Sequence, residues 1–449
     1  MTTNNKGREI VLDMLLQVIE GEEFAHRVLR RTLKAHQDKP KQERAFITRL
    51  FVGTMKHYLT LDYIIEQFSS LPVKKMKPFI RNLLRMSVYQ LMYMDSIPDS
   101  AVCNEAVKLA KKRGFGKLSG FVNGNLRNIA RARADIQYPD KDTDLNRYLS
   151  ISYSVPSWLV TMLLEQYKPQ EVEKILEASL RENEITIRCN CIKTTPDKLE
   201  ELLIGEGVTV IRHPYLKEAF IIKDFDYLEG FSTFRDGLFI IQDVSSMLVS
   251  VVANAKEDDF VVDVCAAPGG KALHIAEKCK KVSARDLTEY KINLINENIR
   301  RMGIENIHTK VWDANITDPE ILGKADIVIA DLPCSGLGVL GKKYDIKYKM
   351  TEKQQDDLVK LQRNILHVVS EYVKPGGILI YSTCTINHKE NIGNMEWFLD
   401  NHNFKPDSLN NYLPAQLHSD TSKAGYLQLL QGIHPTDGFF ICRMRKESR

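Results

Sequence analysis

Two cysteines stand where they could do covalent chemistry. Cys334 lies in Asp331-Leu-Pro333-Cys334-Ser-Gly336, and Cys384 lies in Tyr381-Ser-Thr383-Cys384-Thr385. Each follows a stretch that reads as a strand, Asp326–Ala330 and Ile378–Tyr381, and each sits among Ser and Thr. The commoner fate of a cysteine after a strand is that of a small buried hydrophobe. A metal pair would need further ligands, and none is spaced to supply them, so no metal is expected. A thiolate nucleophile with an assisting thiol fits the polar setting better. Spacing alone does not say which of the two attacks.

A third element of chemistry is a glycine loop. The strand Phe260–Val264 runs into Cys265-Ala266-Ala267-Pro268-Gly269-Gly270-Lys271 and then a helix. Small residues and two glycines let a ligand approach the backbone. The loop is not a P-loop, because Cys265 stands where the first glycine belongs and Ala272 follows the lysine. The G-x-G-x-x-G dinucleotide pattern is absent too. The following strands end in Asp286, Asp313 and Asp331. Any one of them alone is as readily a helix cap. Together they suit the hydrogen-bond donors of a ribose and an adenine amino group, which points to an adenosyl ligand without phosphate.

These residues need a parallel sheet to bring them together, since ligands of open α/β sheets bind beyond the carboxyl ends of the strands. From about Gly237 the chain does alternate: Phe260–Val264, Val282–Arg285, His308–Val311, Asp326–Ala330 and Ile378–Tyr381 read as strands with helices between. The expected organisation is a multidomain chain. Residues 1–138 form an all-α domain, 139–236 a small α+β domain, and 237–449 an α/β Rossmann-like domain. Helical periodicity recurs at Ile10–Ile19, Phe46–Phe68, Pro78–Met94, Ser100–Arg113 and Lys117–Ala134. Asp99 or Ser100 is placed to cap the helix beginning near Ala101.

Charge divides the same way. Residues 1–138 hold 24 Lys/Arg against 13 Asp/Glu, a balance of +11, while the remainder carries −7. Clusters lie at Lys74-Lys75-Met-Lys77 with Arg81 and Arg85, at Lys111-Lys112-Arg113 with Lys117, and at Arg127, Arg131 and Arg133. A basic front suggests nucleic-acid binding, although lone lysines usually only solvate a helix. No apolar run approaches the ~20 residues of a membrane span, and the amphipathic start is not a signal peptide. Eight cysteines in 449 residues are too few for a disulfide scaffold, so a cytoplasmic, thiol-reducing location is expected.

With these motifs the sequence resembles the NOL1/NOP2/Sun family of RNA cytosine-C5 methyltransferases over almost its whole length. The Asp-Val-Cys-Ala-Ala-Pro-Gly-Gly-Lys loop, Asp-Leu-Pro-Cys-Ser-Gly, Tyr-Ser-Thr-Cys-Thr with Glu390-Asn391, and the final Thr436-Asp437-Gly438-Phe439-Phe440 carry the likeness. The resemblance implies a NusB-like first domain and a class I methyltransferase domain at the end. It implies S-adenosyl-L-methionine bordered by Cys265, Ala266, Ala267, Pro268, Gly269, Gly270 and Lys271. Asp286 would hold the ribose, Asp313 the adenine edge, and Asp331 would stand between cofactor and base. Cys384 becomes the nucleophile and Cys334 the group that assists product release. The partner becomes 16S rRNA, naked or in early assembly, bound by a monomer. Where the family often carries Arg-Arg-x-Pro-Asp-Ile-Lys for RNA, this chain reads Gly341-Lys342-Lys343-Tyr344-Asp345-Ile346-Lys347, and the arginine fork is lost.

The expected chemistry has a Cys384 thiolate adding to carbon 6 of cytosine, with a protonated Asp331 bonded to ring nitrogen 3 and Lys271 favouring the thiolate. Two other readings compete. One is a non-catalytic RNA-binding assembly protein, which would have no need of both thiols. The other is an exocyclic-amine methyltransferase, whose Asn/Asp-Pro-Pro-Tyr/Phe motif is replaced here by Asp331-Leu-Pro333-Cys334.

Overall fold

The computed structural model describes residues 3–448, so Met1, Thr2 and Arg449, at the ends of the two outer expected domains, lie outside the described residues. The chain forms two compact units: Met1–Arg181 with Leu340–Lys349, and Glu182–Val339 with Met350–Arg449. The helical unit thus runs past residue 138 and takes in a ten-residue piece from far down the chain.

In the helical unit, Thr3–Ile19, Lys41–Lys56 and Pro78–Tyr93 pack together. Their i, i+3, i+4 apolar positions supply Leu12, Leu15, Phe51 and Leu84 to one buried core. Gly53 is required where the Tyr89 ring crosses its helix, since a Cβ there would come within 1.9 Å of the ring. The apolar run expected over Phe46–Phe68 is two helices, Lys41–Lys56 and Tyr58–Phe68, broken at His57. Helix Ala25–Ala35 has no counterpart in the sequence reading, because only Ala25 and Val28 of its eleven residues are fully buried. The expected cap also differs. The helix starts at Asp99 itself, after Pro98, with no side-chain cap, and Asp99 pairs with Arg133 at 2.6 Å.

Much of the basic excess is consumed internally. Arg85 is buried against Asp62, and Arg81 pairs with Glu20. Lys112 and Arg113 are held by Glu9 and Asp13. Lys74, Lys75, Lys77, Lys111, Lys117, Arg127 and Arg131 stay exposed.

The piece Leu340–Lys349 is built into this unit by helix-end chemistry. Tyr344 joins the apolar core. Asp345, buried, accepts the backbone N–H of Ala25 at 3.0 Å. An anion thereby sits at the start of a helix that lacks its own side-chain cap. Lys347, buried, donates to the Lys56 and Tyr153 carbonyls at 3.1 and 3.3 Å, at the ends of two helices. Burial, with the nearby charge of Lys56, pulls the Lys347 ammonium down to about 7. Of the lysines in this stretch only Lys343 is fully exposed. The segment that stands where the family often carries RNA-contacting arginines is therefore mostly internal.

The second unit holds two sheets. The smaller is antiparallel, in the order β2 (Thr209–Arg212), β3 (Ala219–Lys223), β1 (Ile185–Cys189), β4 (Phe239–Ile241). The larger runs β10 (Phe404–Pro406), β12 (Phe439–Lys446), β9 (Val373–Thr383), β8 (Ala325–Asp331), β5 (Phe260–Asp263), β6 (Lys281–Asp286), β7 (Ile307–Val311), and β11 (Tyr426–Leu429) also pairs with β12. Strands β5 to β9 pair in parallel, and β12 joins β9 antiparallel. Apolar layers cover both faces, with Val261, Ile327 and Ile380 on one and Val262, Val328 and Leu379 on the other. The polar character of β6 has a specific cause: Arg285 is buried in an ion pair with Asp318 at 2.9 Å, beside the Trp312 and Tyr372 rings.

Candidate active site

Strand order reverses between β5 and β8, so the loops leaving those two strands diverge and open a crevice at the carboxyl edge. The glycine loop leaves β5 and the Pro-Cys loop leaves β8. Strand β9 pairs with β8 in a register that sets Ser382 opposite Asp331. Three residues past Asp331 comes Cys334, and two past Ser382 comes Cys384. Their sulfurs lie 3.3 Å apart in a thiol–thiol contact, each partly exposed.

The backbone beneath the thiols is tightly packed. Gly338 N–H donates to the Cys384 carbonyl at 3.0 Å, and Gly438 N–H donates to the Gly338 carbonyl at 2.8 Å. A Cβ on Gly338 would fall 1.8 Å from the Gly438 oxygen. Gly438 from the final Thr-Asp-Gly-Phe-Phe motif is thus part of the same floor.

Lys271 and Asp331 stand beside the thiols. Lys271 Nζ lies 2.5 Å from Asp331 Oδ2, and Ser382 Oγ donates to Asp331 Oδ1 at 2.9 Å. Burial works against the Lys271 charge, but Asp331, Asp263 and the Cys384 sulfur outweigh it and hold its pKa above the usual lysine range. Each Asp331 oxygen therefore accepts one hydrogen bond, one of them from a cation. Cys334 is different: its bond to Cys384, burial, and the charges of Cys384 and Glu390 all push its thiol pKa well up.

The glycine loop is held from β6. Ala266 N–H donates to the Arg285 carbonyl at 2.8 Å and Ala267 N–H to Asp286 Oδ2 at 3.0 Å. The Ala267–Pro268 peptide is cis, and Gly269 adopts φ +106°, where a side chain would be strained. Gly270 has Gln242 within 3.3 Å of where a Cβ would stand. Burial and the Asp286 and Asp263 carboxylates push the Cys265 thiol far up, so it stays neutral.

Asp286 is buried and also accepts Lys291 Nζ at 2.8 Å. Asp313 lies two residues beyond β7 and accepts the Asn315 backbone and side-chain N–H groups at 2.9 Å. Cys265 through Lys271, Asp286, Asp331, Cys334 and Cys384 all border the crevice side of the sheet, with Asp313 at its β7 margin.

Sequence reasoning passed over Asp263, although it stands inside the glycine motif. Its carboxyl is fully buried at the end of β5. Apart from a weak approach by the Cys265 amide, neither oxygen has a hydrogen-bond partner. Burial pushes its pKa up to about 7 against the pull of Lys271. Its apolar strand context hid it, as an acid after Phe-Val-Val reads as a strand terminator.

Fold and site together define a Rossmann-like methyltransferase domain in a larger chain. Residues 250–445 match the 16S rRNA methyltransferase RsmB/F family, 5–131 the NusB family, and 155–226 the ferredoxin-like domain of RsmF/B-like methyltransferases. The chain is 36% identical to the probable ribosomal RNA small subunit methyltransferase B of Bacillus subtilis, over 98% of both chains. It is 30% identical to the protein of that name from Synechocystis, over 98% of this chain and 99% of the other. The solved structure of PH0851 superposes with a TM-score of 0.81 at 26% identity, over 98% of this chain and 99% of that one. The chain belongs to the 16S rRNA methyltransferase RsmB/F family.

Proposed function

We propose that the protein transfers a methyl group from S-adenosyl-L-methionine to carbon 5 of a cytosine in 16S rRNA, by way of a covalent bond from Cys384 to the base. The observation that carries this reading is the pair of partly exposed thiols 3.3 Å apart at the ends of adjacent strands. An exocyclic amine, already nucleophilic, would not need them. The names of the relatives support small-subunit rRNA as substrate. The NusB match and the exposed lysines of the helical unit support RNA binding.

The residues at the crevice fit the cofactor. Its ribose hydroxyls would be held by Asp286 and its adenine amino group by Asp313. No phosphate cradle is needed. Bound there, S-adenosyl-L-methionine supplies an electrophilic methyl group on a sulfonium.

Cys384 Sγ attacks carbon 6 as a thiolate, and the electron pair of the carbon 5–carbon 6 bond moves toward carbon 5, which becomes the nucleophile. Lys271 steadies the Cys384 anion and donates toward ring nitrogen 3. Asp331 accepts from the amino group on carbon 4. After carbon 5 has taken the methyl, its proton goes to a water, and the Cys334 thiol hydrogen-bonds the departing Cys384 sulfur. The carbon 6–sulfur bond then breaks, restoring the ring double bond and the Cys384 thiolate. A stacked base could not enter such a crevice, so the target cytosine is unpaired or flipped out.

Full-length protein incubated with methyl-labelled cofactor and 16S rRNA, naked or in 30S particles, tests the reading after digestion to nucleosides and mass spectrometry. 5-Methylcytidine is expected. Label on an exocyclic nitrogen or a ribose oxygen would sink it.

A further inference from the structure

Glu390 has no part in the chemistry above, yet its side chain accepts four hydrogen bonds beneath the thiols. It is fully buried. Its Oε2 accepts Ser335 N–H and Gln362 Nε2, both at 2.9 Å. Its Oε1 accepts Ser335 Oγ at 2.5 Å and Asn387 Nδ2 at 3.1 Å. Ser335 adjoins Cys334, and Asn387 lies three residues after Cys384. The Ser335 hydroxyl also meets Thr385 Oγ1 at 2.7 Å, next to Cys384. Gln362 passes the bracing on by donating to the Pro333 carbonyl at 2.8 Å, on the other side of Cys334. One carboxylate thus joins the Pro-Cys loop, the Thr-Cys loop and the Glu352–Ser370 helix.

We infer that Glu390 is a positioning residue: its buried carboxylate fixes the Cys334 loop against the Cys384 loop, so that the two sulfurs face each other. This rests on the two-thiol reading above.

Four hydrogen bonds from neutral donors are a strong cradle for a carboxylate in a dry site. Uncharged glutamine would be the cheaper residue if bracing were all that was needed, but its NH2 would face donors on one side. A full negative charge also has a direction. It acts on Cys334, raising that thiol's affinity for its proton. Lys271 acts on Cys384 with the opposite sign. The two charges polarise the thiol pair, favouring the anion on Cys384 and making Cys334 the hydrogen-bond donor to it. No atom of Glu390 need touch the base.

The test uses full-length Glu390→Gln, Glu390→Asp and Ser335→Ala proteins with limiting iodoacetamide at about pH 6 to 9, where the thiolate is the reacting form. Alkylation of Cys334 and of Cys384 is read separately by peptide mass spectrometry. The wild type is expected to label at Cys384 first. In Glu390→Gln the ratio of Cys384 to Cys334 labelling should fall about tenfold, and the Cys334 profile should move to lower pH. Glu390→Asp keeps the charge and should restore most of the ratio. Ser335→Ala keeps the charge but loses an arm of the brace, so its labelling profile should hold while methyl transfer slows about tenfold or more.

A folded Glu390→Gln that binds S-adenosylhomocysteine as the wild type does, with an unchanged ratio and profile, overturns the inference. Should Glu390→Gln not fold, unchanged methyl transfer in Ser335→Ala overturns it instead. Failure of the cytosine reading shows elsewhere, as wild-type protein that makes no 5-methylcytidine whatever its thiols do.

Discussion

Asp331 and Lys271 form a single charged unit between the glycine loop and the thiols, 2.5 Å apart and both largely buried. The pair joins the residue after which the Pro-Cys loop starts to the last residue of the glycine loop. Cofactor edge and thiol edge therefore share one ion pair, and neither member can be removed without leaving the other a buried, unpaired charge.

Substitution of Lys271 by Met is expected to cost about 100-fold or more in single-turnover methyl transfer. The acidic limb of its pH–rate profile should move to higher pH, because the cation that favours a Cys384 anion is gone. Cofactor affinity should change much less. A variant with a lower rate but an unmoved profile would reduce Lys271 to a bracing residue.

The thiol roles are separable by trapping. Cys384→Ala should lose all methyl transfer and form no adduct. Cys334→Ala should accumulate covalent RNA–protein adduct, visible on a denaturing gel, because methyl transfer proceeds while release is impaired. An adduct in Cys384→Ala would exchange the two assignments.

Gly338 offers a test by shape alone. Its missing Cβ leaves room for the Gly438 oxygen at 1.8 Å and the Cys384 oxygen at 2.9 Å. Gly338→Ala must push both segments apart, so methyl transfer should drop by about 100-fold with little change in cofactor binding, as misplacement of about 1 Å does elsewhere. Gly116→Ala, with nothing within 4 Å of its added Cβ, is the control.

How much of this was legible in the sequence depends on the kind of pattern. Strands β5 and β8 announce themselves as apolar runs, because both faces of a parallel sheet are covered. The residues at their ends follow from the edge rule. The short antiparallel strands β3, β4, β10 and β11 left no comparable signal, since three to five residues cannot show a period. Asp263 and Glu390 were in plain view inside the motifs but carried no role, because what bears on them lies on other elements: the Lys271 charge near Asp263, and Ser335 and Gln362 bonded to Glu390. Tyr344, Asp345 and Lys347 were the hardest. Nothing local in that stretch says that it meets helix ends hundreds of residues away.

Lys347 is open to a pH measurement. Below about pH 7 its ammonium is charged in folded and unfolded chains alike, and the cost of burying the charge is fully present. Between there and the ordinary 10.5, only the unfolded chain keeps the proton. The unfolded state then binds more protons, so stability of the helical unit rises with pH across that window, by at most about 1.4 kcal/mol per pH unit. Two carbonyl acceptors at 3.1 and 3.3 Å match the two donors of the neutral amine. Urea unfolding followed from about pH 7 to 9 should show this rise in the wild type. Lys347→Met should flatten it. A parallel rise in both proteins would mean that another group titrates.

The RNA face can be narrowed by the same bookkeeping of partners. Arg81, Arg85, Lys112, Arg113 and Arg133 are tied to acids of their own unit. A charge already neutralised releases few counterions when a phosphate arrives. Lys74, Lys75 and Lys77 stand exposed just before the Pro78–Tyr93 helix. Phe79 stacks on Phe115 at 4.6 Å with Lys77 over the latter ring, which brings the Gly114–Lys117 turn and Lys117 to the same end of the unit. Reversing Lys74, Lys75 and Lys117 to Glu should weaken rRNA binding at about 0.15 M salt by 10-fold or more and flatten the slope of log affinity against log salt by about two to three. Reversing Lys112, Arg113 and Arg133 should instead lower thermal stability and change the salt slope less. Cofactor binding should be unaffected by the first set. If both triple variants lose salt slope equally, the phosphates are spread over the whole helical surface and not gathered at this end.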